Sequence, residues 1–297
     1  METSTESLLQ QIKALGDPTR LRLVALCRQG ECSVSELTLA IGQSQPRISQ
    51  QLKHLCEAGI LKRFRDGKRV FYRVPGSRSA PPRLRQLLEL IPSQDPIFAA
   101  DWNLLMQSRG ERVGEMLSDR QDDSALRDLH RAILDLTVTA QVGDLLDVGC
   151  GRGAILKLLA SRANRAVGVD IDANARQLAR AELMLAGIPN CSLRKGDMYR
   201  LPFADSEFNT IIIDDVLVDA RTPVRALEEA RRLLRPGGRL FILESVLKRS
   251  SGEIQSSLAE WSHSAGLRLA PARYVPQKSP AWLVSVATAA NSQNAAA

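Results

Sequence analysis

Leu145-Leu146-Asp147-Val148-Gly149-Cys150-Gly151-Arg152-Gly153 decides the fold of the larger part of this chain. An apolar run ends in three glycines at every second position, the pattern of a strand turning into a helix. Glycine has no Cβ, so the backbone there can approach a ligand closely. The helix N-terminus behind it favours negative charge. The next strand pattern, Ala166–Asp170, ends in an acidic residue 21 positions after Gly149. A carboxylate at that place is suited to accept hydrogen bonds from two ribose hydroxyls. Further strand patterns cover Cys191–Lys195, Asn209–Ile213 and Arg239–Glu244, and helix patterns cover 154–162, 174–186 and 223–234. Such alternation predicts a parallel sheet with crossover helices. In form, Gly149-x-Gly151-x-x-Ala154 satisfies a dinucleotide fingerprint. Two residues point away from NAD. Asp147 stands just before the glycines, where it suits a cationic amino group and not a pyrophosphate. Asp197, in Gly196-Asp197-Met198, stands where a carboxylate can take an adenine amino group.

The chain has 297 residues, enough for two domains. Its 44% hydrophobic and 25% charged residues exclude a largely disordered, collagen-like or disulfide-scaffold protein. Aromatics make up only 4%, so the cores must rest on Leu, Ile, Val and Ala. Apolar runs such as Ile211–Ile213 are far shorter than the roughly 18 residues that span a bilayer. The start is polar and acidic (Glu2, Glu6), unlike a secretory signal, and the expected location is the cytoplasm. Five cysteines without paired spacing argue against a secreted framework.

Charge is uneven. Residues 1–95 carry 15 basic and 9 acidic side chains, and residues 96–297 carry 25 and 24. Within 44–73 there are 8 basic and 2 acidic side chains, so the small part is the one suited to a polyanion. Pro75–Pro82 is rich in Pro, Gly and Ser and reads as a linker. A short helix follows at 83–91, with Leu84, Leu87, Leu88 and Ile91 on one face. The expected division is a DNA-binding domain at 1–80, a helical connecting and dimerisation segment at 81–138, an α/β domain at 139–290 and a disordered tail at 291–297.

In the basic part, Asp17-Pro18 starts a helix over Thr19–Cys27, Asp as cap and Pro at the first position. Ser33 with Glu36 forms a capping box for the next helix, which ends at Gly42. Ser44 caps a third, Gln45–Ala58. Two short helices joined by about three residues are a helix-turn-helix layout. The second opens Ser44-Gln45-Pro46-Arg47-Ile48-Ser49-Gln50-Gln51. Ile48, Leu52 and Leu55 share its buried face. Ser44, Gln45, Arg47, Ser49 and Gln50 are left to face outward, where Gln and Arg forks read adenine and guanine edges. Two strand-like runs, Ile60–Arg65 and Val70–Val74, flank the turn Asp66-Gly67-Lys68-Arg69. Lys68 and Arg69 are at the tip of this basic hairpin, a wing suited to phosphates.

Leu15-Gly16-Asp17-Pro18-Thr19-Arg20-Leu21-Arg22, Ser44–Leu55 and Ala58-Gly59-Ile60-Leu61 resemble the ArsR/SmtB family of winged-helix repressors. That resemblance implies a homodimer on a palindromic double-stranded DNA operator, dimerised through the first helix and the helix after the wing. It implies no metal site here, because Ser33 and Ser35 stand where the family's arsenic and cadmium sensors have cysteines. Soft metals need thiolates. Cys27, Cys32 and Cys56 read as small core residues.

The glycine stretch, Asp170, Gly196-Asp197-Met198, Leu201-Pro202-Phe203, Phe208–Leu217 and Leu233–Leu240 together resemble a class I S-adenosylmethionine-dependent methyltransferase. The resemblance implies that Asp147, Gly149 and Gly151 hold the methionine part, Asp170 and Ile171 the ribose, and Asp197 and Met198 the adenine. It puts Asp214 near the methyl group. The whole chain is then multidomain: an N-terminal all-α winged helix-turn-helix plus a C-terminal α/β Rossmann-like methyltransferase fold. One departure concerns the acceptor side. Proteins joining these two domains usually have His-x-Val-Leu-His after the fourth strand, and here Asp214 and Val218 stand at the His positions. Asp214 and Asp215 are the remaining candidates for a catalytic base, against a neutral reading as sheet-end solvation. Three functions stay open: a regulator that binds S-adenosylmethionine or S-adenosylhomocysteine, a working small-molecule methyltransferase that regulates its own operon, and a nucleic-acid methyltransferase.

Overall fold

The computed structural model describes residues 5–76, 80–92, 95–116, 124–138, 141–246, 250–278 and 280–289. Outside them lie part of the expected linker (77–79), part of the basic run at Lys248–Gly252, and the expected tail at 291–297. Contacts divide the chain into two units, Met1–Arg120 with Arg180–Ser192, and Gln121–Ala179 with Leu193–Ala297.

The first unit opens with α1 (Thr5–Leu15) and α2 (Pro18–Gln29). The Asp17 side chain accepts from the Arg20 amide and Pro18 takes the first helical position, as the sequence predicts. A two-residue strand, β1 (Cys32–Ser33), leads into α3 (Val34–Ile41), which carries the expected Ser33–Glu36 capping box. Next comes α4 (Gln45–Glu57). Ser44 has the extended backbone of a cap, yet its hydroxyl makes no cap hydrogen bond. Pro46 has no N–H and so removes one of the two amides such a cap uses. The hairpin of β2 (Lys62–Asp66) and β3 (Arg69–Arg73) turns at Gly67, whose φ of +61° suits glycine. Strand β3 also pairs with β1, giving a three-stranded sheet in the order β1-β3-β2.

Leu23, Val24, Leu37, Ile48, Leu52, Leu55 and Ile60 are fully buried in the core of this unit. Leu84 and Leu88 of α5 (Pro82–Glu89) and Leu105 of α6 (Pro96–Met116) complete it. Trp102 packs against the same core. A bidentate pair, Arg22 to Asp101 at 2.7 and 2.6 Å, ties α6 to α2.

The second unit is α/β. In chain order it holds α7 (Ser124–Thr137), β4 (Gly143–Val148), α8 (Ala154–Leu159) and β5 (Ala163–Asp170). Helix α9 (Ala173–Leu185) and β6 (Cys191–Lys195) follow, then β7 (Phe208–Asp214), α10 (Pro223–Leu233) and β8 (Leu234–Ser245). The last elements are α11 (Ser251–Ser264), β9 (Leu267–Leu269), β10 (Arg273–Val275) and β11 (Trp282–Ala289). The sheet order is β10-β11-β8-β7-β4-β5-β6, with β9 also on β11. Strands β5, β4, β7 and β8 run parallel, while β11 is antiparallel to β8. The chain leaves β4 for β5 and β6 on one side, then returns to β7 on the other. A crevice opens where strand order reverses in this way. Strand β8 starts earlier than expected because the Pro236-Gly237-Gly238 stretch bulges, the pairing jumping from Phe208–Leu234 to Thr210–Arg239. Strands β9, β10 and β11 were not anticipated. Two of them have only three residues each, too few to show alternation. Among the described residues no helix is long and apolar enough to cross a membrane.

Leu52→Ala empties a fully buried site under α4 and should cost about 2–5 kcal/mol, read from chemical denaturation of the first unit. A loss well below about 1 kcal/mol would show that α4 does not rest on this core.

Candidate functional site

Parallel register brings the carboxyl ends of the central strands level. Val148 pairs with Val169 and Ile213, and Asp214 pairs with Leu243. Asp147, Asp170, Asp214 and Glu244 therefore gather at one end of the sheet, around the crevice between β4 and β7. The loop after β4 stays close to the backbone. Gly149 has a φ of +78°, and a Cβ there would lie 2.6 Å from Val216 Cγ1. The amides of Gly149 and Cys150 donate to the Val169 carbonyl, and the Gly151 amide donates to Asp170 Oδ2 at 2.8 Å. Asp170 Oδ1 accepts from the Asp172 amide at 2.8 Å. Ile171 is exposed beside it. Asp197 is exposed, its Oδ1 accepting from the Tyr199 amide, and Met198 packs against the core of this unit. Of the residues expected to hold a nucleoside, Asp147, Gly149, Gly151, Asp170 and Ile171 belong to two adjoining strand ends. Asp197 and Met198 follow the neighbouring β6, where the Gly196 amide donates to the Asp170 carbonyl.

Asp147 is fully buried, and among the described residues neither carboxylate oxygen has a hydrogen-bond partner. Burial, then the nearby Asp214 and Asp170, push its carboxyl well above the usual range. Burial together with Asp215 and Asp170 raises Asp214 to about 7. Asp215 has a φ of +53° and accepts from the Ser245 amide. Sequence reasoning missed Glu244. It is buried, accepts from the Leu217 amide at 2.9 Å, and is raised to about 8, chiefly by burial. Its only signal was an acidic residue closing an apolar strand. Arg176 and Asp172, which order the loop after Asp170, were missed too.

In the first unit, Ile48, Leu52 and Leu55 turn α4 onto the core. Ser44, Gln45, Arg47 and Gln50 are exposed and Ser49 is half-buried. Arg20 of α2 donates to Gln51 at 3.0 Å, which steadies α4. On the hairpin Lys62, Arg63, Arg65, Lys68 and Arg69 are exposed, while Phe64 and Phe71 stack with centroids 5.8 Å apart. Cys27 and Cys32 are buried and Cys56 is half-buried, in line with their reading as core residues.

These two assemblies define the class: a winged-helix regulator domain and a methyltransferase fold on one chain. Residues 17–63 match the family model described as bacterial regulatory protein, arsR family, and residues 146–242 match that of a methyltransferase domain. The chain is 41% identical over 80 residues to the biofilm growth-associated repressor of Xylella fastidiosa, covering 27% of this chain and 70% of that protein. Through this part the chain belongs to the arsR family of bacterial regulatory proteins. It is 29% identical over 153 residues to methyltransferase GfsG of Streptomyces halstedii, covering 51% of this chain and 49% of that protein. A candidate S-adenosyl-L-methionine-dependent methyltransferase of Methanococcus maripaludis shares the fold at a TM-score of 0.50 and 13% identity, over 64% of this chain and 95% of that one. The chain spans 35% and 40% of the length of two further curated relatives.

The raised carboxyls give a pH prediction. Native Asp214 and Glu244 titrate near 7 and 8, against about 4 when unfolded. Between those values the native state holds more protons than the unfolded state, so stability without ligand falls as pH rises. Glu244→Gln should flatten that fall between pH 5 and 8 in thermal melts. A slope equal to wild type would remove Glu244 from the titrating group.

Proposed function

We propose that this chain is a DNA-binding transcriptional regulator, a repressor like its relatives, whose methyltransferase domain binds S-adenosylmethionine or S-adenosylhomocysteine. One observation carries the ligand half: Asp147, at the carboxyl end of β4, is fully buried, and both its oxygens are without a hydrogen-bond partner among the described residues. Burying a carboxylate without partners is costly, and a cationic amino group offsets that cost by ion pairing and hydrogen bonding. The residues present fit the nucleoside. Asp147, Gly149 and Gly151 take the methionine part, Asp170 and Ile171 the ribose, and Asp197 and Met198 the adenine. When bound, S-adenosylmethionine would supply an electrophilic methyl group, with Asp214 as the carboxylate expected near it.

For the DNA half, the exposed first turn of α4 reads base edges and the hairpin follows phosphates. The expected partner is a double-stranded operator bound by a homodimer in the cytoplasm. Leu9 and Ile12 on α1 and Leu90 after α5 are exposed apolar residues at 49%, 47% and 78%, and they support dimerisation through those elements. The segment 81–138 then serves dimerisation and connection. A second reading, a working small-molecule methyltransferase, draws on Asp214, because a carboxyl titrating near 7 is poised as a general base. Turnover with a panel of acceptors separates the two.

Arg47→Ala should relax operator sequence choice at a cost of about 1–3 kcal/mol, whereas Lys68→Ala should weaken all sequences alike and lower the salt slope by about one. Anisotropy titrations over operator variants and salt check both. Unchanged preference in Arg47→Ala would remove α4 from base reading.

Calorimetry tests the pocket. Asp170→Ala should cost about 1–3 kcal/mol of nucleoside binding, because it leaves ribose hydroxyls unpaired. The ammonium partner should also drive a proton from Asp147, so affinity should rise with pH. The proton release is measured in buffers of different ionisation enthalpy. NAD binding tighter than either S-adenosyl nucleoside would overturn the assignment.

A further inference from the structure

Within the first unit, α2 and α6 line a cavity of about 320 Å³, with Ile91 and Pro92, just after α5, as a further wall. The space exists because the helices are small there. Ala25 of α2 and Ala99 of α6 both line it, and their methyl groups leave room that a longer side chain would fill. Phe98 and Trp102 add aromatic surface. They are four residues apart and so share one face of α6. The bidentate Arg22–Asp101 pair, at the residue before Trp102, holds α6 on α2, so the walls are already in place. Pockets for small ligands run from about 300 to 1,000 Å³ and are mostly apolar, with a few placed polar groups.

The polar groups here are of one kind. Arg28 is the charged side chain of the lining, and no carboxylate lines it. Arg28 Nη1 donates to the Leu88 carbonyl at 2.8 Å and to the Ile91 carbonyl at 3.5 Å. Those carbonyls are at the end of α5, where a helix favours a cation. That role uses one nitrogen. Among the described residues, Nε and Nη2 have no hydrogen-bond partner, and Arg28 has no ion pair. The Nε–Nη2 edge is a planar fork of two parallel N–H donors, the geometry that matches a carboxylate. The Trp102 indole N–H and the Gln29 amide, also on the lining, are without partners among the described residues. Donors therefore outnumber acceptors among the lining side chains, and the surrounding surface is apolar and aromatic.

We propose that this cavity binds a small aromatic carboxylate, its ring against Phe98 and Trp102 and its carboxylate on the Nε–Nη2 edge of Arg28. The site goes beyond the nucleoside reading. It is made wholly of residues of the DNA-binding unit, and its ligand is of another class. Helix α2 also supports α4, Arg20 donating to Gln51 at 3.0 Å, so the ligand rests on the helix that backs the proposed base-reading turn.

Calorimetry on the full-length protein tests the site with phenylacetate and indole-3-acetate, and with phenylacetamide and indole-3-acetamide as neutral isosteres. At least one acid should bind at one per chain. Its amide should bind about ten-fold or more weakly, because it forfeits the charge-assisted hydrogen bonds. Arg28→Met keeps the apolar stem and should bring the acid down to the affinity of the amide. That variant also uncaps α5, so a second one is needed. Ala99→Trp fills the cavity from an exposed position on α6, and should abolish acid binding while melting like wild type. Three results overturn the proposal: no binding of either acid, as when a second copy of the chain covers the cavity; equal affinity for acid and amide; or wild-type acid affinity in Ala99→Trp. Each of them leaves the nucleoside reading untouched.

Discussion

Carboxylate desolvation at the carboxyl end of the central sheet is the constraint around which the second unit is arranged. Asp147 is in the middle strand of a parallel sheet, where both faces are covered and water is excluded. Its neighbours at the same level, Asp170 and Asp214, add repulsion to the cost of burial. The strand order reverses between β4 and β7 beside Asp147, the place where a crevice opens in such sheets. Proton uptake by Asp214 and Glu244 relieves part of the repulsion when no cation is present.

Arginines paired with buried carboxylates play the complementary part in the first unit. Arg22 grips Asp101 with two hydrogen bonds, and Arg109 pairs with Glu36 at 2.9 Å. Burial pushes Glu36 upward, but the Arg109 guanidinium outweighs it and holds the carboxyl below the usual carboxylate range. Glu36 also closes the capping box of α3, so one carboxylate both starts the helix before α4 and anchors α6. Beside the Leu and Ile packing of this unit, these charged pairs add contacts of fixed hydrogen-bond geometry between elements distant in the chain.

Much of this was legible from residue patterns. Helix starts at Asp17-Pro18 and Ser33-x-x-Glu36 depend on neighbours within one turn, and Gly67 serves its own turn. The parallel core of the sheet was legible because buried strands and crossover helices alternate along the chain. The short antiparallel strands were not, since three residues carry no periodicity. Ser44 was misjudged as a side-chain cap because Pro46 withdraws an amide that spacing alone does not count. At the site, Asp147 and Asp170 announced themselves by standing beside glycines and at a strand end. Glu244, although buried in the same cluster, had no flanking motif to mark it.

The division follows from the range of the forces involved. Local sequence by itself determined the class of each domain, the polar first turn of α4, the basic hairpin and the glycine loop, because turn geometry, capping and hydrophobic period act over a few residues. Tertiary structure decided what depends on residues distant in the chain. It left Asp147 without a hydrogen-bond partner among the described residues, raised the carboxyls of Asp214 and Glu244 to about 7 and 8, and brought Arg180 onto Glu31, Asp66 and Phe71. Glu31 and Arg180 are 149 positions apart in the chain. No periodicity reports such a contact, because desolvation and ion pairing act through space and are set only when the core closes.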